Sequence, residues 1–222
     1  MTFNFDTKSI SPISNWDKTI FNFNIDSSSS DESGVSVPSG LRFVSAITFT
    51  DSNCYINTGI KSAPNESVKI RIQEFGNLSA SKVMLTNGGI YLQRSAEAYW
   101  MLTTSAITTV KIDANTIYDI ELTNTTEGRT LSVGGETISR SAMSSSYIDQ
   151  CPIILGAKGT RNGTVSQENW QCHIYEYKYY KEGVLTQDLK PCLDEDGTPC
   201  FYDAMSGEFF RNTGSGNLGY IE

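Results

Sequence analysis

The carboxylates of Asp194-Glu195-Asp196-Gly197 form the densest acidic run in the chain and are the first candidates for acid–base chemistry. Cleavage of a glycosidic bond needs two closely spaced carboxyl groups, one to protonate the leaving oxygen and one to attack the sugar. No E-x-D-x-x-E segment of that kind occurs in the sequence. The run lies instead at a predicted hairpin tip, where its carboxylates are expected to be solvated and to keep ordinary acidity. The sequence therefore predicts no catalytic residue.

Metal and nucleophile chemistry is also poorly supported by the residue types. The acidic run is similar to the start of a calcium-binding loop, but the later ligands and the closing Glu are missing, so a solvated turn is favoured. His173 is the only histidine, and a Ser or Cys nucleophile would have to reach it across a sheet. A packed or surface histidine on a strand is the favoured interpretation. Neither a metal site nor a cofactor is predicted.

The chain has five cysteines, at positions 54, 151, 172, 192 and 200, and no CxxC pair that would indicate zinc. Cys192 and Cys200 flank the acidic turn and would face each other across a hairpin. Two interpretations remain open: a disulfide in an oxidising compartment, or two free, half-buried thiols. Free thiols are the favoured interpretation.

Aromatic side chains and one polar loop are the candidates for ligand binding. Trp100 follows Tyr99, and Trp170 lies in the long polar loop from Lys158 to Gln171. A flat aromatic face can stack on the CH groups of a sugar ring. Long polar loops on a rigid scaffold often bind ligands. Packing in the core is the alternative for both tryptophans. The candidate ligand-binding residues are Tyr91, Tyr99, Trp100, Arg161, Asn162, Asn169 and Trp170.

Short segments in which apolar and polar residues alternate must position these residues, and the sequence has no helical periodicity. Candidate strands are Leu41–Thr50, Cys54–Asn57, Ser67–Phe75, Ile90–Gln93, Tyr99–Thr103, Thr108–Ile112, Ile117–Thr123, Arg129–Val133, Ile153–Ala157, His173–Lys181 and Val184–Lys190. Asn87-Gly88-Gly89, Gly134-Gly135 and Glu182-Gly183 are typical of hairpin tips. Strict alternation over Gln171 to Lys181 places His173, Tyr175, Tyr177 and Tyr179 together on a face that meets the core or a partner. Many short strands at this spacing predict an all-β sandwich or barrel.

The first 36 residues differ from the rest of the chain. Aromatic and polar residues alternate around Phe21 and Phe23, and a Ser-rich acidic run follows them from Ser27 to Gly34. Such a run has too little apolar surface to offset its ordering entropy. The sequence therefore predicts an arm with linker at 1–36 and one domain at 37–222. Trp16, Phe21 and Phe23 are the candidate docking residues of the arm.

Charge and hydropathy exclude several classes of partner. The net charge is −8 and the few Lys and Arg are dispersed, which disfavours binding to nucleic acid. The apolar runs are too short for a membrane-spanning helix, so no membrane insertion is expected. Residues Met1 to Ile10 carry no readable secretion signal.

The C-terminal motifs carry a resemblance to a known family. They read Glu182-Gly183-Val184-Leu185, Asp188-Leu189-Lys190-Pro191-Cys192, Phe201-Tyr202-Asp203, Ser206-Gly207-Glu208-Phe209-Phe210 and Asn212-Thr213-Gly214-Ser215-Gly216. In this order they resemble the closing strands of LamG-like jelly-roll domains of the concanavalin A-like class, which occur in phage structural proteins and in surface proteins of gut bacteria. Upstream, Tyr55-Ile56-Asn57-Thr58-Gly59 and Ile153-Ile154-Leu155-Gly156-Ala157 are similar to two further strands of that family.

The resemblance implies a two-sheet antiparallel jelly-roll sandwich and indicates function only weakly, because this fold supports many functions. The first hypothesis is a non-enzymatic virion component of a phage fibre, tail tip or capsid decoration. It would contact other virion proteins through the arm, form a homo-oligomer and bind cell-surface carbohydrate. The second is an extracellular glycan-binding adhesin of a bacterial surface. The third is a glycoside hydrolase or lyase, which the missing carboxylate pair disfavours.

Overall fold

The computed structural model describes residues 37–50, 53–61, 63–86, 89–103, 106–142, 152–159, 164–167 and 170–222. Within these ranges every regular element is a strand. No helix in the described part of the chain is long and apolar enough to cross a membrane. The predicted arm at 1–36, with Trp16, Phe21 and Phe23, lies outside the described residues and stays a prediction.

The described residues form nineteen strands. They are, in chain order, β1 (Arg42–Phe43), β2 (Ala46–Phe49), β3 (Ile56–Lys61), β4 (Glu66–Glu74), β5 (Lys82–Thr86), β6 (Tyr91–Arg94), β7 (Tyr99–Thr103), β8 (Ala106–Lys111), β9 (Tyr118–Asn124), β10 (Gly128–Val133), β11 (Glu136–Ser141), β12 (Pro152–Leu155), β13 (Ala157–Gly159), β14 (Val165–Gln167), β15 (Cys172–Lys181), β16 (Val184–Leu193), β17 (Pro199–Asp203), β18 (Phe209–Phe210) and β19 (Gly219–Ile221).

Two antiparallel sheets form the sandwich, which confirms the predicted all-β fold. The large sheet has the order β11-β10-β9-β4-β15-β16-β17-β18, with β1 on β16 and with β2 on β15 and β19. The small sheet has the order β3-β12-β5-β6-β7-β8, and β13 pairs with β14 separately. In β4, for example, Val68, Ile70 and Ile72 point inward, whereas Lys69 and Arg71 point outward. The fold is thus a jelly-roll sandwich whose main hydrophobic core lies between its sheets.

The core draws on both sheets. Ile70 and Tyr177 from the large sheet belong to the same buried cluster as Met84, Trp100 and Ile153 from the small sheet. Full burial of such an aliphatic side chain contributes roughly 1.5–3 kcal/mol. A buried ion pair also joins the sheets, because Arg94 of β6 contacts Glu74 of β4 and both side chains are almost fully inaccessible.

Two of the three predicted hairpin tips are confirmed, and the third, at Asn87-Gly88-Gly89, falls on residues 87 and 88, outside the described residues. Gly134 and Gly135 connect β10 to β11 with φ of 57° and 82°, and Glu182 and Gly183 connect β15 to β16 with φ of 53° and 78°. Two successive residues of positive φ match the twist of paired strands, which is why glycine recurs at these positions.

Two strand predictions need correction. The predicted strand Leu41–Thr50 is split at Val44 and Ser45, so that β1 pairs with β16 while β2 pairs with β15 and β19. Strict alternation in β15 is wrong, because a bulge between Ile174 and Glu176 shifts the pairing with β4. Only Tyr177 and Tyr179 of the predicted face are buried in the core, and His173 and Tyr175 are half-buried.

Candidate functional site

The two tryptophans predicted to bind a ligand belong to the core. Trp100 is 0% exposed and Trp170 is 1% exposed, and the Trp100 ring meets Tyr118 edge-on with centroids 5.4 Å apart. A sugar needs an open aromatic face, and neither indole offers one, so the alternative of core packing describes both. Tyr91 and Tyr99 are half-buried on the small sheet. Arg161, Asn162 and Asn169 lie outside the described residues.

Asp194, the first residue of the acidic turn between β16 and β17, has a structural role. Asp194 was expected to be solvated, but its side chain is only 4% exposed and accepts a hydrogen bond from Nε of Arg211 at 2.9 Å. The backbone N–H groups of Asp196 and Thr198 also donate to it. Burial raises the pKa of Asp194, but these hydrogen bonds outweigh it and the pKa is lowered. Asp194 therefore fixes the hairpin.

His173 contacts polar and aromatic neighbours: its Nδ1 lies 2.9 Å from the hydroxyl of Thr48, and its ring stacks on Phe75 at 4.4 Å. Burial lowers its pKa. In the described part of the chain, no three His, Cys, Asp or Glu side chains converge where they could hold a metal ion.

A groove on the outer face of the large sheet is the best candidate for a ligand site. It has a volume of about 420 Å³ and crosses β4, β9, β10 and β15. Its polar lining consists of Lys69, Arg71, Asp119, Glu121, Ser132, Glu176, Lys178 and Tyr180. We call it the outer-face groove.

Strand register arranges these side chains in rows across the sheet. One row runs from Lys178 through Lys69 and Glu121 to Ser132. A second row joins Glu176, Arg71 and Asp119. Neighbours in a row lie close enough for their side chains to interact. Each row therefore presents donors and acceptors side by side along one surface.

Every carboxylate of the groove has a cation beside it. Lys69 Nζ lies 3.8 Å from Glu121 Oε1, and Arg71 Nε lies 3.8 Å from Asp119 Oδ1. Lys178 pairs with Glu176. Burial lowers the pKa of Lys178, but Glu176 and Asp188 more than offset this, so the pKa is raised and the ammonium form is favoured. The three cations and three carboxylates leave the groove without net charge.

Two tyrosines of β15 flank the charged rows along that strand. Tyr180 lines the groove and lies beside Lys69, whose Nζ is 5.6 Å from the ring centroid. Tyr175 lies beside the groove near Arg71, its hydroxyl donates to Gln73 Oε1 at 2.8 Å, and its ring meets His173 edge-on. Desolvation raises the pKa of Tyr175, although Arg71 lowers it. The rings supply apolar faces beside the polar rows.

The bulge in β15 explains how Tyr175 reaches this surface. Cys172 and Ile174 point into the core, and so do Tyr177 and Tyr179. Ile174 and Tyr177 are three positions apart, so strict alternation would place them on opposite faces of the sheet. The bulge allows both to point into the core and leaves Tyr175 and Glu176 outside it. Bulges commonly redirect a side chain next to a functional site.

Sequence reasoning missed this groove. The signal was present, because Ser67–Phe75 and Ile117–Thr123 are predicted strands whose polar alternate positions are Lys69, Arg71, Asp119 and Glu121. What was missing is that β4 lies between β9 and β15 in the sheet.

Comparisons with known proteins identify similar folds. No protein-family model matches the chain, and no curated protein matches it in sequence. A candidate carbohydrate-binding protein from Bacteroides ovatus aligns over 82% of this chain with a TM-score of 0.55 and 14% identity. This chain spans 61% of the length of that protein. The likeness shows a shared β-sandwich fold.

Two further solved structures align less well. One is the CBM40 domain of the Ruminococcus gnavus IT-sialidase bound to α2,3-sialyllactose, with a TM-score of 0.38, 12% identity, and coverage of 59% of this chain and 89% of that one. The other is a SAP-like pentraxin from Limulus polyphemus, with a TM-score of 0.36, 9% identity, and coverage of 63% and 74% respectively.

Proposed function

We propose that this chain is a non-catalytic glycan-binding module and that its ligand lies in the outer-face groove. The observation that carries the proposal is the combination, on one sheet face, of paired donors and acceptors with the ring of Tyr180 in the groove and that of Tyr175 beside it. Sugar hydroxyls both donate and accept hydrogen bonds, and sugar CH groups stack on aromatic faces. The Bacteroides ovatus protein of similar fold is itself a candidate for carbohydrate binding, which supports the same function.

Charge balance favours a neutral glycan. The groove has three cations beside three carboxylates, on a protein whose net charge is −8. An anionic glycan would gain little from paired cations and would be repelled by the whole molecule. We therefore expect neutral hexose-containing glycans to bind better than sialylated or sulfated ones.

The first experiment is a glycan array with the purified chain, followed by calorimetry on the best ligand. Tyr175→Ala should weaken binding about tenfold, because a lost aromatic contact costs roughly 1.5 kcal/mol. Tyr175→Phe should retain most of the affinity. Tyr99→Ala is the matched control on the small sheet and should bind like the wild type.

The same measurements can reject the proposed site. If Tyr99→Ala loses binding while Tyr175→Ala does not, the site lies on the small sheet. An array with no ligand above background for the folded chain contradicts the glycan-binding function itself.

A glycoside hydrolase is the second candidate, because Asp119, Glu121 and Glu176 share one groove. Each of these carboxylates already pairs with a cation of the groove, which disfavours a catalytic role for it. Incubation with the glycans that bind should release no reducing sugar. Sustained release that Glu121→Gln abolishes would establish the enzyme instead.

As the setting of this module we propose the virion of a bacteriophage, with a bacterial cell surface as the alternative. The order of the closing motifs, from Glu182-Gly183 to Gly214-Ser215-Gly216, supports both settings through their resemblance to LamG-like domains. In the virion, Trp16, Phe21 and Phe23 would dock the module onto another structural protein, and the module would form a homo-oligomer. Mass spectrometry of purified virions should detect the chain; its recovery only from bacterial surface fractions favours the adhesin.

A further inference from the structure

Cys192 and Cys200 form a close pair of thiols on neighbouring strands. They lie directly opposite each other in the register of β16 and β17, and their Sγ atoms are 3.4 Å apart. The four described cysteines, 54, 172, 192 and 200, are all free thiols in the structure. Directly opposite residues of antiparallel strands have Cα atoms roughly 4.5–5.5 Å apart, which lies within the range of about 4.4–6.8 Å that a disulfide needs. The backbone therefore already permits a bond between them.

The electrostatics of the pair favour one reactive thiolate. The hydrogen bond between the two sulfurs raises the pKa of Cys192 and lowers that of Cys200. The guanidinium of Arg211 lowers both pKa values, whereas burial and the charge of Asp194 raise both; a hydrogen bond from the backbone of Asp194 also lowers the pKa of Cys200. One thiol thus acts as donor and stabilises the other as acceptor. The thiolate is the form that attacks a disulfide.

The hydrophobic side chains that shield the two thiols from solvent are themselves only partly buried. Both cysteines belong, with Tyr202, to a small buried cluster separate from the main core. Three partly buried hydrophobic residues, Leu41, Phe43 and Phe209, pack against this cluster. Phe43 lies on β1 and Phe209 on β18, and each of these strands has two residues. Such short strands open at little cost compared with global unfolding, and opening brings the sulfurs to solvent.

We propose that Cys192 and Cys200 are an oxidisable pair that closes to an intramolecular disulfide by exchange with a small-molecule disulfide such as oxidised glutathione. The Cys200 thiolate attacks one glutathione sulfur, forms a mixed disulfide and releases one glutathione thiolate. The Cys192 thiol then gives its proton to water and attacks the Cys200 sulfur, which releases the second glutathione. Two protein thiols lose two electrons, and one glutathione disulfide is reduced to two thiols. The bond locks the β16–β17 hairpin.

The test uses the full chain, reduced first and then equilibrated with oxidised glutathione under conditions in which it stays folded. Alkylation followed by peptide mapping should link the peptide of Cys192 to that of Cys200. The melting temperature should rise by roughly 5–10 °C, because a short loop closed by a disulfide stabilises a domain of this size to that extent. Added dithiothreitol should reverse the rise.

Two variants separate the pair from the remaining cysteines. Cys172→Ala, which removes another buried thiol, should leave the linked peptide in place, whereas Cys200→Ala should abolish both the link and the rise in melting temperature. The unoxidised melting temperature of each variant, measured alongside, separates a folding defect from a lost bond. Free Cys192 and Cys200 after equilibration, a stable mixed disulfide with glutathione, or a link to any other cysteine would overturn the proposal.

Discussion

At the scale of single residues, buried charges have the largest effect on stability. Arg94 and Glu74 are 2% and 0% exposed, and Arg94 also donates to the carbonyls of Ala80 and Asn77. Burial lowers the pKa of Arg94 to about 10. A buried pair contributes little compared with apolar residues of the same size, but removal of one partner leaves an uncompensated charge.

Arg94→Met should therefore destabilise the fold by roughly 3–5 kcal/mol, because Glu74 remains buried without its partner. The double variant Arg94→Met with Glu74→Leu should recover much of that loss. Urea unfolding of both single variants and the double variant measures the coupling between them. Strictly additive losses would show that the two side chains act independently.

Asp194 predicts a pH dependence of stability. Its pKa is lower in the folded chain than its ordinary value of 3.8, so its hydrogen bonds stabilise the fold above that value. This contribution is lost as the pH falls from 3.8 through the folded pKa. The stability difference between the wild type and Asp194→Asn should therefore be smaller at about pH 3 than at about pH 5.

Urea unfolding at both pH values measures this difference. Glu195→Gln, at an exposed position of the same turn, is the control and should change stability little at either pH. An unchanged gap between the wild type and Asp194→Asn across the two pH values would contradict the assigned role of Asp194.

At the scale of elements, the motifs that resemble LamG-like domains hold neighbouring segments of the fold together. Asn212 accepts a hydrogen bond from the backbone of Tyr55 at 3.0 Å and donates to the carbonyls of Gly214 and Gly216. A Cβ at Gly214 would overlap the carbonyl of Asn53. The Asn212-to-Gly216 loop thus clamps the segment before β3, which explains why these motifs predicted the fold and not a ligand.

Gly214→Ala should destabilise the protein by roughly 1–3 kcal/mol, because the loop must move away from the Asn53 carbonyl. Ser215→Ala, at the exposed neighbouring position, is the control and should stay within about 0.5 kcal/mol of the wild type. Thermal unfolding followed by circular dichroism distinguishes the two. Equal melting temperatures for both variants would show that the loop adapts without cost.

Local sequence predicted the positions of the strands better than it predicted which strands pair with each other. Tyr99–Thr103 was predicted with the observed bounds of β7, since its run of aromatic and apolar residues favours a strand. β11 was missed because Ile138 is the only aliphatic side chain in Glu136–Ser141. The outer-face groove depends on pairings between β4, β9 and β15, whose partners are about 50 to 100 residues apart, and a period of two does not encode them. The bulge at Tyr175 breaks that period, so no alternation pattern could have placed this ring on the outer face.

At the scale of the whole molecule, the sandwich has two outer faces with different characters. The outer face of the large sheet has the charge-paired groove, whereas the small sheet exposes Ile107 on β8, which is 45% accessible. A rigid sandwich keeps these faces apart, because the shared core fills the space between the sheets. A change on one face should therefore leave the other unaffected.

This separation allows a steric test of the binding face. Ser132 lies on the groove row next to Glu121, so Ser132→Trp should fill the groove and reduce glycan affinity at least about tenfold, equivalent to 1.4 kcal/mol. Ile107→Trp adds the same ring to the small sheet and should bind like the wild type. Tryptophan suits strand positions, so both variants should fold, and matching circular dichroism spectra would verify it. Calorimetry with one neutral glycan decides the result: loss of binding in Ile107→Trp with retention in Ser132→Trp would assign the ligand to the small sheet.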